Sequence, residues 1–88
     1  MKLNFNFPIK GLDGTDLKDS NAGKILANNL AGQPSGDIIK YWQWAQDIYA
    51  GKEIELDKSD TETLRNYIKT NLTLPIITKV QMLEAFKE

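Results

Sequence analysis

The segment 36–51 carries both tryptophans and two of the three tyrosines of the chain, with a glycine at each end. Any fold of this chain must house that aromatic volume, and the spacing says how. Ile38, Tyr41, Trp42, Ala45, Ile48 and Tyr49 fall at i, i+3, i+4, i+7, i+10 and i+11, one continuous face of an amphipathic helix. The segment is therefore expected to be the central helix, with this stripe against the core. Trp44 departs from the stripe and falls with Lys40, Asp47 and Gly51 on a different face. Two explanations are open at this stage. Either a second layer, the last helix or the sheet, covers that side too, or Trp44 is exposed and anchors an interface, a use for which tryptophan is enriched. Trp44, with Lys40 and Asp47 beside it, is the candidate partner-binding site.

The rest of the chain arranges itself around this helix by alternation and punctuation. Leu3, Phe5, Phe7 and Ile9 alternate with polar residues and Pro8, which reads as a strand with one buried face, ending or at an edge near the proline. Asp13-Gly14 is a turn dipeptide whose residues tolerate positive φ, and a short return strand around residues 15–17 would follow it. The segment 19–21 offers capping side chains to a helix with Ala22, Ile25, Leu26 and Leu30 on one face, closed by a left-handed Gly32 with Pro34 behind it. Ser35 is the expected N-cap of the central helix, with Asp37 placed well against its dipole. Beyond Gly51, Ile54 and Leu56 alternate with acids as a short strand to pair with the N-terminal one. Ser59 and Glu62 fit a capping box for a helix with Leu64, Tyr67, Ile68 and Leu72 inward. Pro75 opens a last helix with Ile76, Ile77, Val80, Leu83 and Phe86 as its stripe. The expectation is an α+β fold, one domain over residues 1–88, with about four helices on a short two- to three-stranded antiparallel sheet in the order β-α-α-β-α-α.

Composition narrows the chemistry. At 88 residues the core is small, and self-association would help it. Eleven basic and twelve acidic residues leave a net charge of −1, which gives no global field to draw nucleic acid or anionic lipid. The absence of cysteine and histidine removes disulfides, thiolate catalysis, the usual zinc sites, and the Ser-His and Cys-His triads. No run approaches the roughly 20 apolar residues that span a bilayer. The opening residues lack the apolar stretch of a signal peptide, so the expected location is cytoplasmic, without membrane contact.

Individual motifs add little. Gly23-Lys24 and Gly51-Lys52 suggest phosphate loops, but the required earlier glycine is replaced by Lys18 and Gln46, and the following Ser or Thr by Ile25 and Glu53. The acids at 53–62 and 13–19 could be imagined as ligands of a divalent cation or a small ligand. A calcium loop, however, needs about six to eight oxygens around a glycine bend, and 53–62 contains no glycine. A carboxylate hydrolase would need a cleft that so small a domain hardly provides. Asn71-Leu72-Thr73 matches a glycosylation sequon but has no secretory context. Base stacking on Trp44 or Tyr41 would lack the basic groove of single-strand binders. No cofactor is expected.

Several phrases give the chain a family likeness. The opening 1–7, the turn Leu12-Asp13-Gly14, the run 21–27, Trp44-Ala45 with Ile48-Tyr49, Glu55-Leu56-Asp57 and the stretch 78–83 together resemble short uncharacterised open reading frames of tailed bacteriophages and prophages. The resemblance covers most of the chain but includes no catalytic or ligand signature. It implies a phage context in a bacterial host cell and transfers no functional residue. The reading is thus a non-enzymatic phage-like accessory or assembly protein acting through a protein partner or self-association. The alternative is a cation- or small-ligand-binding domain built on the acidic segments.

Overall fold

The N-terminal segment, expected as one strand, is two. A computed structural model, which describes residues 1–86, shows Lys2–Leu3 (β1) pairing antiparallel with Ile54–Glu55 (β4), Leu3 opposite Ile54. Pro8–Lys10 (β2) pairs antiparallel with Asp16–Asn21 (β3) in a separate sheet. The break between them has a local cause. The Asn6 N–H donates to the Asn4 side chain at 2.7 Å, and the Phe7 N–H folds back to the Phe5 carbonyl at 2.8 Å. These local bonds replace ladder bonds and bend the chain. Leu3, Phe5 and Ile9 are still buried as the alternation requires, while Phe7 is half-buried. At the Asp13-Gly14 turn only Gly14 takes a positive φ, +85°, while Asp13 Oδ1 accepts from both the Thr15 N–H and its hydroxyl. Those two bonds hold the exposed Asp13 carboxyl below its ordinary range, the hydroxyl contributing most.

With the four helices, Ala22–Ala31 (α1), Ile38–Tyr49 (α2), Lys58–Thr70 (α3) and Ile76–Glu84 (α4), the order is β-β-β-α-α-β-α-α. The α+β class and the pairing of 54–55 with the N-terminus are as expected, and the strands divide into two small sheets instead of sharing one.

Helix boundaries follow the strongest local acceptor. Asn21 caps α1 by accepting the Lys24 N–H. Gly32 ends it at φ −86°, right-handed and not left-handed as expected, because Gln33 continues the turn by donating to the Leu30 carbonyl. Asp37, not Ser35, caps α2, since Gly36 at φ +117° swings the chain out of helical phase just before it. Asp57, not Ser59, caps α3: its carboxylate accepts the Asp60 N–H at 2.7 Å and starts the helix earlier than a hydroxyl at 59 would. Glu62, freed from the capping box, pairs with Arg65 at 2.6 Å.

Leu26 and Leu30 of α1, Leu64 and Ile68 of α3 and Met82 of α4 meet Leu3, Phe5 and Ile9 in one core. Full burial of each such side chain contributes about 1.5–3 kcal/mol. Phe5 and Phe86 close it edge to face, with centroids 5.9 Å apart. Three expected core positions in the C-terminal part of the chain are outside. Leu72 is 97% exposed because α3 ends at Thr70 and the extended Asn71 breaks the helical phase. In α4 the inward line is Leu74, Thr78, Met82 and Phe86, leaving Ile76 and Val80 exposed. The rotation is set by Gln81, whose side-chain amide accepts from the Lys10 N–H and donates to the Lys10 carbonyl, both at 2.8 Å.

Candidate functional site

The aromatic helix α2 packs antiparallel on α1 with unusually close approach at one end. A Cβ on Gly23 would stand 3.0 Å from the Ile48 carbonyl oxygen and 3.2 Å from that of Phe5, so the first turn of α1 rests directly on the last turn of α2. This crossing determines which part of the apolar arc of α2 is covered. Tyr41, Trp44, Ala45 and Ile48, at i, i+3, i+4 and i+7, turn inward. Ile38, Trp42 and Tyr49, at 0, +4 and +11 along the same helix, lie outside it.

Trp42 therefore leaves the core stripe expected of it, while Trp44 is buried. Trp44 is 7% exposed and its ring stacks on Tyr41, centroids 5.8 Å apart. Trp42 is 57% exposed. Of the two explanations for Trp44, burial applies, and α3 reaches this part of α2 through Lys40 and Tyr41. Lys40, one turn before Trp44, donates to Asp60 of α3 at 2.7 Å, and Tyr41 meets Tyr67 of α3 edge to face at 5.5 Å. The hydrogen bond to Asp60 holds the Lys40 ammonium above its ordinary pKa. Of the candidate partner-binding residues, Trp44 is thus a core residue, Lys40 is engaged with α3, and Asp47 is exposed on the side of the helix away from Trp42. An anchor needs an accessible ring, and Trp44 does not offer one.

The uncovered edge of α2 borders α1 along a groove. Between the rings of Trp42 and Tyr49, the three alanines Ala27, Ala31 and Ala45 line a hollow of about 320 Å³. On the other side of Trp42 a smaller one of about 100 Å³ lies toward Leu30 and Ile38. Trp42 stands as a ridge between two concavities, a shape suited to packing and lacking any convergent set of charged groups. The signal for it was in the sequence. The apolar arc of α2, from Trp44 round to Trp42, is wider than one neighbouring helix can cover, so one edge had to remain open.

The acidic segments have separate duties. Asp57 caps α3, Asp60 pairs with Lys40, Glu62 pairs with Arg65, and Asp16 pairs with Lys10 at 3.1 Å. Among the described residues no three acidic side chains are grouped so as to hold a metal ion. A polar cluster that sequence reading did not find joins α1 to the end of α3. Asn29 Oδ1 accepts from the Tyr67 hydroxyl and from Asn71 at 2.6 Å, while Asn29 Nδ2 donates to Thr73 at 2.7 Å. Burial raises the Tyr67 pKa, and the neighbouring Tyr41 adds to the effect, so the phenol stays protonated as the donor. Every buried side-chain polar atom among the described residues has a partner, so the cluster is a satisfied joint.

No protein-family model matches this chain, and no curated protein or solved structure matches it either. Among the described residues no helix is long and apolar enough to cross a membrane.

Proposed function

We propose that this chain is a non-enzymatic accessory or assembly protein of phage type that works through protein–protein contacts made by the open edge of α2 and the facing side of α1. The observation that carries this reading is Trp42, a large ring left accessible between two apolar hollows on a helix whose other tryptophan is buried. Exposed aromatic rings beside small-residue hollows are the composition of interface hot spots. A contiguous apolar face of this kind marks an interaction surface more often than chance exposure. The resemblance of the chain to short phage reading frames supports the biological setting, a bacterial host cytoplasm. The dispersed use of the carboxylates supports a role without catalysis or bound metal. Immobilised wild-type protein and a Trp42→Ala variant, exposed to lysate of a phage-infected bacterium and to free wild-type protein, test the reading. Trp42-dependent capture of either is expected. Identical capture by both proteins, or none, refutes it.

A further inference from the structure

We propose that Asp13-Gly14 is a site of spontaneous covalent modification, the conversion of Asp13 to isoaspartate through a succinimide, and that Thr15 is the positioning residue that restrains it. The reaction needs an aspartyl carboxyl, a following main-chain nitrogen able to reach it, and water. No other aspartate and no asparagine of the chain precedes a glycine. A side chain on the residue after the aspartate crowds the ring as it closes, and Gly14 has none. A Cβ built on Gly14 would meet no atom beyond its chain neighbours within 4 Å. The turn also stands in solvent: residues 12–19 are exposed, Leu12 almost wholly.

In the closing step the Gly14 nitrogen forms a bond to Asp13 Cγ and the Cγ–O bond breaks. The hydroxyl oxygen of the protonated carboxyl leaves as water, carrying its own proton and the amide proton. Water then opens the ring. Attack at Cγ returns aspartate, whereas attack at the main-chain carbonyl carbon of Asp13 routes the backbone through Cβ and Cγ and frees the former main-chain carboxyl. One water is lost and one gained, so mass and charge are unchanged and no oxidant or cofactor enters. The main chain becomes one methylene longer inside the β2–β3 hairpin, whose pairing of Lys10 with Asp16 begins just outside the turn.

The native turn holds both reacting groups off this path. Asp13 Oδ1 accepts from the Thr15 hydroxyl at 2.8 Å and from the Thr15 N–H at 3.1 Å. These bonds fix the carboxyl and keep it ionised, a form from which the oxygen does not leave. The Gly14 N–H is engaged as well, donating to the Gly11 carbonyl at 3.0 Å. Asp13 forms no ion pair among the described residues, so the restraint on its carboxyl comes from Thr15.

Ageing of the purified protein at neutral pH and physiological temperature tests the proposal. Trypsin, cleaving after Lys10 and Lys18, releases the peptide 11–18. Methyl transfer by an isoaspartyl methyltransferase counts the isomer in that peptide, and fragmentation places it at Asp13 or Asp16. Isoaspartate is expected at Asp13, slowly in folded wild-type protein and about threefold or more faster in Thr15→Ala, the weight of one lost hydrogen bond. Thr15→Ser keeps the hydroxyl and should bring the rate back toward that of wild type. Wild-type protein unfolded in urea should react faster than the folded protein, and that comparison stands even if Thr15→Ala does not fold. Absence of isoaspartate at Asp13 from both the unfolded chain and Thr15→Ala overturns the site. Equal rates in folded and unfolded wild type, a Thr15→Ala rate equal to that of wild type, or a Thr15→Ser rate equal to that of Thr15→Ala overturns the restraint.

Discussion

Trp42 and Trp44 sit two residues apart on one helix and have opposite roles. Trp44 is buried and stacks on Tyr41, which in turn meets Tyr67 of α3, so its ring is a structural element. Trp42 faces the groove beside α1, where alanines leave room and, among the described residues, more than half of the side chain stays open. The difference does not come from hydrophobicity, which the two share. It comes from what stands opposite each: a helix brought close by an ion pair and an aromatic contact, or a helix whose facing side chains are too small to reach.

This contrast can be broken from either side. The largest effect should come from Trp44→Ala, which deletes a buried ring and is expected to cost about 3–5 kcal/mol in urea unfolding; a cost near zero would place Trp44 on the surface after all. Asn29→Ala removes the shared acceptor of Tyr67 and Asn71, and should cost about 1–3 kcal/mol by the same measurement. A smaller effect is expected from pH. Lys40 and Tyr67 are both held above their ordinary values, so the folded state keeps these protons longer than the unfolded one. Their contribution is complete below about pH 10 and is lost as pH rises through the folded-state values. The unfolding midpoint should fall across that window, and Tyr67→Phe should flatten the fall. The smallest effect should be that of Trp42→Ala on dilute protein, within about 0.5 kcal/mol. A loss comparable to that of Trp44→Ala would abolish the distinction between the two sides.

Much of the fold was legible because short-range signals decided it. Alternation located Leu3, Phe5 and Ile9 in the core, helical period gave Leu26, Leu30, Leu64 and Ile68, and the need of lone strands for a partner joined 54–55 to the N-terminus. What misled was the choice among neighbours of similar character. An apolar arc does not say which of its edges is covered, so Trp42, expected in the core stripe, lies outside it. A capping hydroxyl at Ser35 or Ser59 does not announce that Asp37 or Asp57 will do the work better. The turn of α4 about its own axis, which exposes Ile76 and Val80, depends on Gln81 reaching a strand far away in sequence, and no local pattern contains that bond. Of the candidate residues Trp44, Lys40 and Asp47, helical period alone could not say that the ring of Trp44 would be buried.

The bond between Gln81 and Lys10 has a further consequence. Strand β2 is paired with β3 along one edge, and its other edge would present a free N–H and carbonyl to any extended chain that met it. The Gln81 amide occupies both, imitating one residue of a missing strand. An unprotected edge invites open-ended strand addition and fibrous aggregates. By stoppering that edge with a side chain from its own helix, the molecule closes a route to unlimited growth through strand pairing.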